Sequence, residues 1–386
     1  MHEVPRDILA GFAPTTATAL IEALDACGFD AAGYRDMHKD LTTRGMSADE
    51  AWVHYFRHGC KEGRRFPARA GMDSYGPLIR LPVADPEARR TVLWRFLENR
   101  QIMAGDAVDW NVDVAGSAAA LFAAGALPYV IVGDSHSHCY GKTVIHAGRL
   151  LVPIHMLCLG GSAQGLNNPR SRSGYGPAVL DFVRRQGRDA AQSEVRFFFK
   201  FGQVDAEFVS TFHRRTERQT AFRLADFEAF ARSSVNRYEA FLGKVLREFP
   251  FPDRIKVLGV FPPALADAVW RAGYVTAHIG FLETGEDGET LAAEIKQLEI
   301  PDLLTRTRMH GLYNGLLQIM CARLGVTFVD DCAPLLSGNG VVDRAWTGDH
   351  EGRNHHLSPD ALLPITGMLI SRHAQPGVMG ASPYQG

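Results

Sequence analysis

The second part of the chain contains short apolar runs separated by longer polar segments. The runs are rich in Val, Ile and Phe, and they do not alternate between polar and apolar residues. Such runs are typical of strands that are buried on both faces of a sheet. The predicted strands span residues 129–132, 150–157, 195–201, 255–261 and 326–329.

Segments with helical spacing follow most of these runs. They are centred on residues 176–185, 225–248, 263–272, 303–324 and 358–372. Strands that alternate with helices predict a parallel sheet with helices on both faces, so the expected class is α/β. We predict a three-layer α/β/α sandwich around a five-stranded parallel sheet. In such folds the functional site lies beyond the carboxyl ends of the strands.

Residues 1–75 have a different pattern and predict a small helical module. Ser47 and Glu50 have the spacing of a capping box, in which each side chain bonds the other residue's amide. The helix that starts there is expected to run past Trp52 to about Gly59. A basic stretch with Pro and Gly at residues 61–71 then indicates a linker. We therefore predict two domains, 1–75 and 76–386.

Composition narrows the class of protein. With 46% hydrophobic and 22% charged residues and a net charge of −2, the chain of 386 residues is typical of a globular protein without affinity for nucleic acid. No apolar run is long enough for a membrane span, and no secretory signal is visible at the start. The six cysteines are scattered without a CxxC pair, which favours a reducing cytoplasm and argues against a structural zinc site. No P-loop or Gly-x-Gly-x-x-Gly follows a strand, so we expect no cofactor.

Polar, glycine-rich segments follow four of the five predicted strands. They are Gly133-Asp134-Ser135-His136-Ser137, Gly160-Gly161-Ser162-Ala163-Gln164, Gly202-Gln203-Val204-Asp205 and the stretch from Asp349 to Pro359. Because parallel strands end at one edge of a sheet, these segments are expected to meet there.

In this order the segments resemble the blocks of the SGNH (GDSL-like) hydrolase superfamily. The matching parts are the strand-terminal Gly133-Asp134-Ser135, Gly160-Gly161, the block Gly202-Gln203-Val204-Asp205, and His356-Leu357-Ser358. The Gly-Asp-Ser-His variant looks like the branch linked to bacterial polysaccharide O-acylation and deacylation. The resemblance covers residues 76–386 and implies a flavodoxin-like fold.

The resemblance also implies catalytic roles. Ser135 would be the nucleophile, and His356, with His355 as its rival, would be the base that a serine hydroxyl requires. The amides of Ser135 and of Gly160 or Gly161 would stabilise the oxyanion. Asp134 is expected to make hydrogen bonds around the turn, and His136 to support local structure or contact the substrate.

Two positions depart from the family pattern. Val204 stands where an Asn usually donates to the oxyanion, and Gln203 is the nearest replacement. Arg353 stands where an Asp usually orients the base, so Asp349 is the expected orienter. A Ser–His dyad oriented by a backbone carbonyl is the alternative, and the other acidic candidates are Asp331 and Asp343.

The first domain resembles a short segment found in bacterial polysaccharide-synthesis proteins. The matching residues are Phe29-Asp30, Tyr34, Asp40-Leu41 and the stretch from His54 to Arg64, although the usual Pro before the His-Tyr pair is absent. This resemblance implies a glycan or its precursor as substrate and allows for association with a polysaccharide-synthesis complex.

These observations predict a cytoplasmic serine esterase or O-acyltransferase that acts on a glycan or a small acyl ester. Whether water or a sugar hydroxyl accepts the acyl group stays open. One alternative is an inactive glycan-binding module of the same fold. The other is a binuclear metallophosphoesterase, since Asp134-x-His136 and Gly348-Asp349-His350-Glu351 resemble metal-ligand motifs.

Overall fold

A computed structural model describes residues 31–54, 122, 126–142, 144–147, 149–171, 173–274, 293–348, 351–359 and 361–374. Within these residues the strands form one six-stranded sheet in the order β2-β3-β1-β4-β5-β6. The strands are β1 (Leu127–Gly133), β2 (Val144–His146), β3 (Arg149–Leu157), β4 (Arg196–Lys200), β5 (Ile255–Leu258) and β6 (Thr327–Val329).

Five of these strands are parallel, which confirms the predicted α/β architecture. Strand β5 ends at Leu258, where the sequence predicted a strand to residue 261. The sequence analysis missed β2, a three-residue edge strand antiparallel to β3. A run of that length is too short to give a pattern of its own.

The two faces of the sheet bury different side chains of the same strands. Val130 and Val132 pack into one core cluster together with residues of the long helices. Tyr129 and Ile131 point to a second cluster on the other face, with Ile370 near the C-terminus. Burial on both faces explains the absence of alternation in the sequence and defines the three layers.

The helices agree with the predicted positions for the longest segments. The 303–324 helix is confirmed at both ends, because Asp302 caps its first turn through the amide of Thr305 (2.7 Å) and Gly325 ends it in a left-handed conformation. The helices are α1 (Ala31–Met37), α2 (Lys39–Thr43), α3 (Ala48–His54), α4 (Tyr175–Ser193), α5 (Ser210–Thr216), α6 (Leu224–Glu248), α7 (Asp267–Val269), α8 (Leu303–Leu324) and α9 (Leu363–His373).

The helix predicted over 263–272 was wrong in its first part. Pro262 and Pro263 precede it, and regular helix begins only at Asp267, continuing as the π-helix Trp270–Tyr274. The last helix likewise begins at Leu363 rather than near residue 358.

The described part of the N-terminal region is helical. The predicted capping box is present at α3, since the amide of Ser47 donates to Glu50 (2.7 Å) and the amide of Glu50 donates to the Ser47 hydroxyl (3.2 Å). The predicted linker and the domain boundary near residue 75 lie outside the described residues. No helix among the described residues has the length and apolarity to cross a membrane.

Candidate active site

The turn after β1 presents Ser135 at the carboxyl edge of the sheet. A Cβ on Gly133 would lie 2.6 Å from the carbonyl oxygen of Lys200 and from the Cβ of Ser137, so only glycine lets this turn approach β4 so closely. Asp134 then caps the 3₁₀-helix Ser135–Tyr140 by accepting the amide of His136 at 2.9 Å. Ser135 therefore sits on a short, tightly held helix.

His356 lies against Ser135, as the sequence predicted. The two residues are 221 positions apart, and the His356 Nε2 atom is 2.8 Å from the Ser135 Oγ. The loop between β6 and α9 carries the imidazole back to the β1 edge. This is the geometry that a serine hydroxyl needs to lose its proton.

The amide oxygen of Asn354 is the partner of the other ring nitrogen of His356. The Oδ1 atom is 3.3 Å from His356 Nδ1, and it also accepts the backbone amide of His356 at 3.0 Å. Asp349 lies outside the described residues, so the predicted orienter has no described position. Among the described contacts of His356 Nδ1, this one is made by a neutral amide.

The two alternative acidic orienters are engaged elsewhere. Asp331 is buried and binds Lys200 Nζ (2.8 Å) and the hydroxyl of Tyr140 (2.7 Å). Asp343 caps a 3₁₀-turn through the amide of Ala345 (2.9 Å). The structure therefore corrects both alternatives.

Two backbone amides are available for an oxyanion. Neither the N–H of Ser135 nor that of Gly160 donates to another atom within the described part of the chain. Gly160 has φ +66°, a conformation that glycine adopts without strain, and it lines the same cleft as Ser135. The amide of Gly161 donates to Cys158 (2.8 Å), so Gly160 is the donor that this geometry favours.

Asp205 ties the Gly160 loop to the end of β4. Its carboxylate accepts the amides of Ala163 (2.5 Å) and Gln164 (3.2 Å), together with the hydroxyl of Ser234 (2.8 Å). Burial raises the pKa of Asp205 to about 6, although these three donors oppose the rise. The residue belongs to the π-helix Asp205–Val209, an irregular form often found at functional sites.

Gln203 does not fit the role of a replacement oxyanion donor. Its Nε2 atom donates to Glu207 (2.7 Å) and to the carbonyl of Phe261 (3.2 Å), and its Oε1 accepts the amide of Phe261 (2.8 Å). Both side-chain N–H groups are used inside the protein, and the residue is buried. We therefore correct that assignment, since Gln203 holds the segment after β5 in place.

Asp134 and His136 are buried beneath the cleft and do not line it. Asp134 Oδ1 is 3.1 Å from His136 Nδ1, and the His136 ring packs 4.7 Å from the ring of His356. Burial raises the pKa of Asp134 to about 6, an effect opposed by the amide of His136 and the charges of Lys200 and His356. The hydrogen bonds expected of Asp134 around the turn are present, whereas the possible contact of His136 with substrate is corrected, because His136 does not line the cleft and packs against His356.

His355, the rival of His356, points to a different partner. Its Nδ1 atom is 2.8 Å from the hydroxyl of Tyr274, and its ring lies edge-on to Phe208 at 5.1 Å. Of the two neighbouring imidazoles, His356 therefore contacts Ser135, and His355 contacts Tyr274 and Phe208.

A second Ser–His contact, absent from the sequence analysis, lies under the same turn. Ser137 Oγ is 2.7 Å from His155 Nε2 and 2.6 Å from the carbonyl of Asp134. Both residues are fully buried, and burial lowers the pKa of His155 to about 3. A neutral pair without access to the cleft fixes the turn and has no route to substrate. Distance alone therefore does not identify the reactive serine.

Ser135 and His356 open into a cleft of about 710 Å³. One part of its lining is apolar and another part carries hydroxyl, amide and guanidinium groups. The apolar residues include Leu159, Leu166, Val204 and Phe208, and the polar ones include Asn168, Arg170, Ser171 and Ser173.

Imidazole nitrogens of His136, His355 and His356 lie within 4.8 Å of one another. Such a group offers the ligand type that zinc and other transition metals accept. The described carboxylate of that motif, Asp134, is not in this group and is bound to His136 Nδ1 at 3.1 Å, whereas the metallophosphoesterase motif requires acidic ligands to bridge two metals. Asp349 and His350 of that motif lie outside the described residues.

Comparisons with known proteins gave weak similarities only. No protein-family model matches the chain, and no curated protein matches it. Among solved structures, a candidate platelet activating factor from Streptococcus pneumoniae is 13% identical with a TM-score of 0.35, covering 76% of this chain and 100% of that one. An extracellular lipase from Streptomyces rimosus is 18% identical with a TM-score of 0.32, covering 65% of this chain and 100% of that one. Similarities at this level carry no argument about function.

Proposed function

We propose that the protein is an SGNH-type serine hydrolase that cleaves or transfers an acyl ester, with Ser135 as nucleophile and His356 as base. The observation that carries the proposal is the 2.8 Å contact between Ser135 Oγ and His356 Nε2 in an accessible cleft. The order of the four sequence blocks supports it independently.

The proposed reaction has two steps. Ser135 Oγ attacks the ester carbonyl while His356 Nε2 takes the hydroxyl proton, and the amides of Ser135 and Gly160 bind the oxygen that becomes negative. His356 then gives the proton to the leaving alcohol, which departs and leaves an acyl-serine. Water or a sugar hydroxyl attacks the acyl-serine, His356 takes its proton, and that proton returns to Ser135 Oγ when the acyl group leaves.

We infer that the acceptor or alcohol part is a glycan. The support is the resemblance of the N-terminal region to polysaccharide-synthesis proteins, together with the hydroxyl and amide groups that line the cleft. Transfer to a sugar and hydrolysis by water use the same acyl-serine, so the same residues serve both outcomes.

The first experiment is intact-mass spectrometry after incubation with a fluorophosphonate and, separately, with p-nitrophenyl acetate. We expect one covalent adduct on the wild type and none on Ser135→Ala, with retained folding shown by circular dichroism. Ser233→Ala, a change at an exposed hydroxyl on α6, is the matched control and is expected to behave as the wild type. A folded wild type that takes no adduct would contradict the proposal.

Two further assays, read together with the adduct measurement, separate the alternatives. Phosphatase activity that a chelator abolishes, with no serine adduct, would favour metal chemistry at the histidine group. Retention on a glycan column without adduct or turnover would indicate a binding module.

A further inference from the structure

The cleft lining carries positive charge and no acidic side chain among the described residues. Arg170 is the one fully charged side chain in its lining among the described residues, and that lining contains no Asp or Glu. An enclosed surface with a cation and no carboxylate attracts negative ligands and repels positive ones. The cleft is thus chemically biased although the whole chain is nearly neutral.

Several exposed arginines of the domain are neutralised by an acidic partner among the described residues, and Arg170 is not one of them. Arg184, Arg232 and Arg323 form ion pairs with Glu248 (3.1 Å), Glu228 (2.6 Å) and Glu239 (2.5 Å). No hydrogen bond or ion pair joins the guanidinium of Arg170 to another side chain in the part of the chain that the structure describes. Its guanidinium donors are therefore available to a ligand in the cleft that Arg170 lines.

The backbone around Arg170 is fixed. Its amide donates to the side chain of Asn168 (3.0 Å), and the next amide, of Ser171, donates to the Asn168 carbonyl (3.0 Å). The hydroxyls of Ser171 and Ser173 are 3.0 Å apart. The turn fixes the backbone that carries Arg170, Ser171 and Ser173, so a ligand that binds here has to order the arginine side chain but not the loop.

The cleft also offers apolar side chains that suit an acyl chain. Leu159, Leu166, Val204 and Phe208 belong to the same lining as Ser135 and His356. Val204 stands where the family resemblance implied an Asn, which makes the lining more apolar. The cleft can thus bind a molecule with one apolar and one hydrophilic part.

We propose that the substrate is an acyl ester of a hydrophilic alcohol that carries a carboxylate or phosphate group, and that Arg170 binds this anion. A guanidinium matches the paired oxygens of both anions, while the neighbouring hydroxyls suit a sugar. This inference rests on the proposed function, and it makes Arg170 a specificity residue rather than a catalytic one.

The test compares three acetyl esters: an O-acetyl glucoside, an O-acetyl glucuronide and an O-acetyl glucose phosphate. For wild type we expect a preference for one or both anionic esters that weakens as salt is raised. Arg170→Gln should lower kcat/KM for the anionic esters by about tenfold through KM, while the neutral ester changes by less than about twofold. Arg232→Gln, which removes an arginine outside the cleft, should leave all three unchanged.

Two outcomes would overturn the inference. One is a wild type without preference for either anionic ester, and the other is an Arg170→Gln effect of equal size on neutral and anionic esters. A carboxylate preference and a phosphate preference distinguish the two sources of the anion.

A binding measurement separates this inference from the proposed function. Calorimetry with Ser135→Ala and the O-acetyl glucuronide should show binding that weakens about tenfold when Arg170→Gln is added. If this holds while the wild type takes no phosphonate adduct, the hydrolase proposal fails and the anion site stands. If the adduct forms but neither anion binds through Arg170, the hydrolase proposal stands and the inference fails.

Discussion

At the scale of single residues, the imidazole of His356 contacts a side-chain amide at its Nδ1 atom. The Oδ1 atom of Asn354 holds His356 Nδ1 at 3.3 Å, a length that indicates a weak hydrogen bond. An amide oxygen fixes the ring and its tautomer but supplies no full charge to the imidazolium that forms during reaction. Asp134, buried behind His136, is a carboxylate that acts on His356 through space.

Substitution of Asn354 tests this arrangement. We expect Asn354→Ala to lower kcat by about tenfold, because the ring then loses its hydrogen bond to this amide. Asn354→Asp should restore kcat and move the acidic limb of the pH–rate profile to higher pH, since a carboxylate favours the protonated ring. Steady-state kinetics across pH measure both effects. Equal losses in the two variants, with no shift of the limb, would mean that Asn354 only supports the loop.

The contact between Ser135 and His356 was predictable from sequence, whereas the contact between Asn354 and His356 was not. Ser135 and His356 stand in blocks whose order and strand context carry information. Asn354 bonds both the ring and the backbone amide of a residue two positions later, which is an ordinary loop motif without a catalytic signature. Gln203 was misassigned because sequence does not reveal that Glu207 and Phe261 use its amide group.

At the scale of elements, the π-helix after β4 controls the loop that carries Gly160. Asp205 accepts two consecutive amides of that loop, at Ala163 and Gln164, so the position of Gly160 depends on this carboxylate. An Asn at this position would turn an N–H group toward one of the donors. The loop would then lose a bond and meet a repulsive contact.

We expect Asp205→Asn to lower kcat by about 10- to 100-fold with a smaller change in KM, because a displaced oxyanion donor acts mainly in the transition state. The free energy of unfolding should fall by about 1–3 kcal/mol. Ser234→Ala, which removes one bond to the same carboxylate but none to the loop, is the control and should keep most of kcat. Steady-state kinetics and urea denaturation of both variants measure these changes. Equal kcat losses in the two variants would contradict a specific role for the loop.

The sequence predicted the strands well where their side chains are buried on both faces of the sheet. Runs such as Phe197-Phe198-Phe199 are buried on both faces and gave strand positions directly. The sequence did not predict the π-helix, because it differs from an α-helix only in the spacing of its backbone hydrogen bonds. It did not predict the three-residue strand β2 either, because that strand is fixed by pairing with β3.

At the scale of the whole molecule, buried ionisable groups lie beneath the carboxyl edge of the sheet. Lys200 pairs with Asp331 in the interior, which compensates both charges. Glu207 is less well compensated. Its Oε1 accepts from Gln203 at 2.7 Å and lies 4.0 Å from His310 Nε2, whereas its Oε2 has no hydrogen-bond partner among the described residues.

Burial raises the pKa of Glu207 to about 7, above the ordinary value of 4.5. A raised pKa means that the folded state holds the proton more tightly than the unfolded state does. The stabilisation from that proton is complete below about pH 4.5 and is lost as the pH rises to about 7. Above that pH the charged carboxylate is a net cost to folding.

Glu207→Gln removes this cost and keeps an acceptor for Gln203. We expect the variant to gain about 1–3 kcal/mol of unfolding free energy relative to the wild type between pH 5 and pH 8. Urea denaturation at the two pH values measures the difference, and the other buried acids titrate equally in both proteins. Glu217→Gln, at an exposed position, should show no such gain. A pH-independent difference for Glu207→Gln would mean that Glu207 stays charged in the folded protein, with Arg306 rather than a proton balancing it.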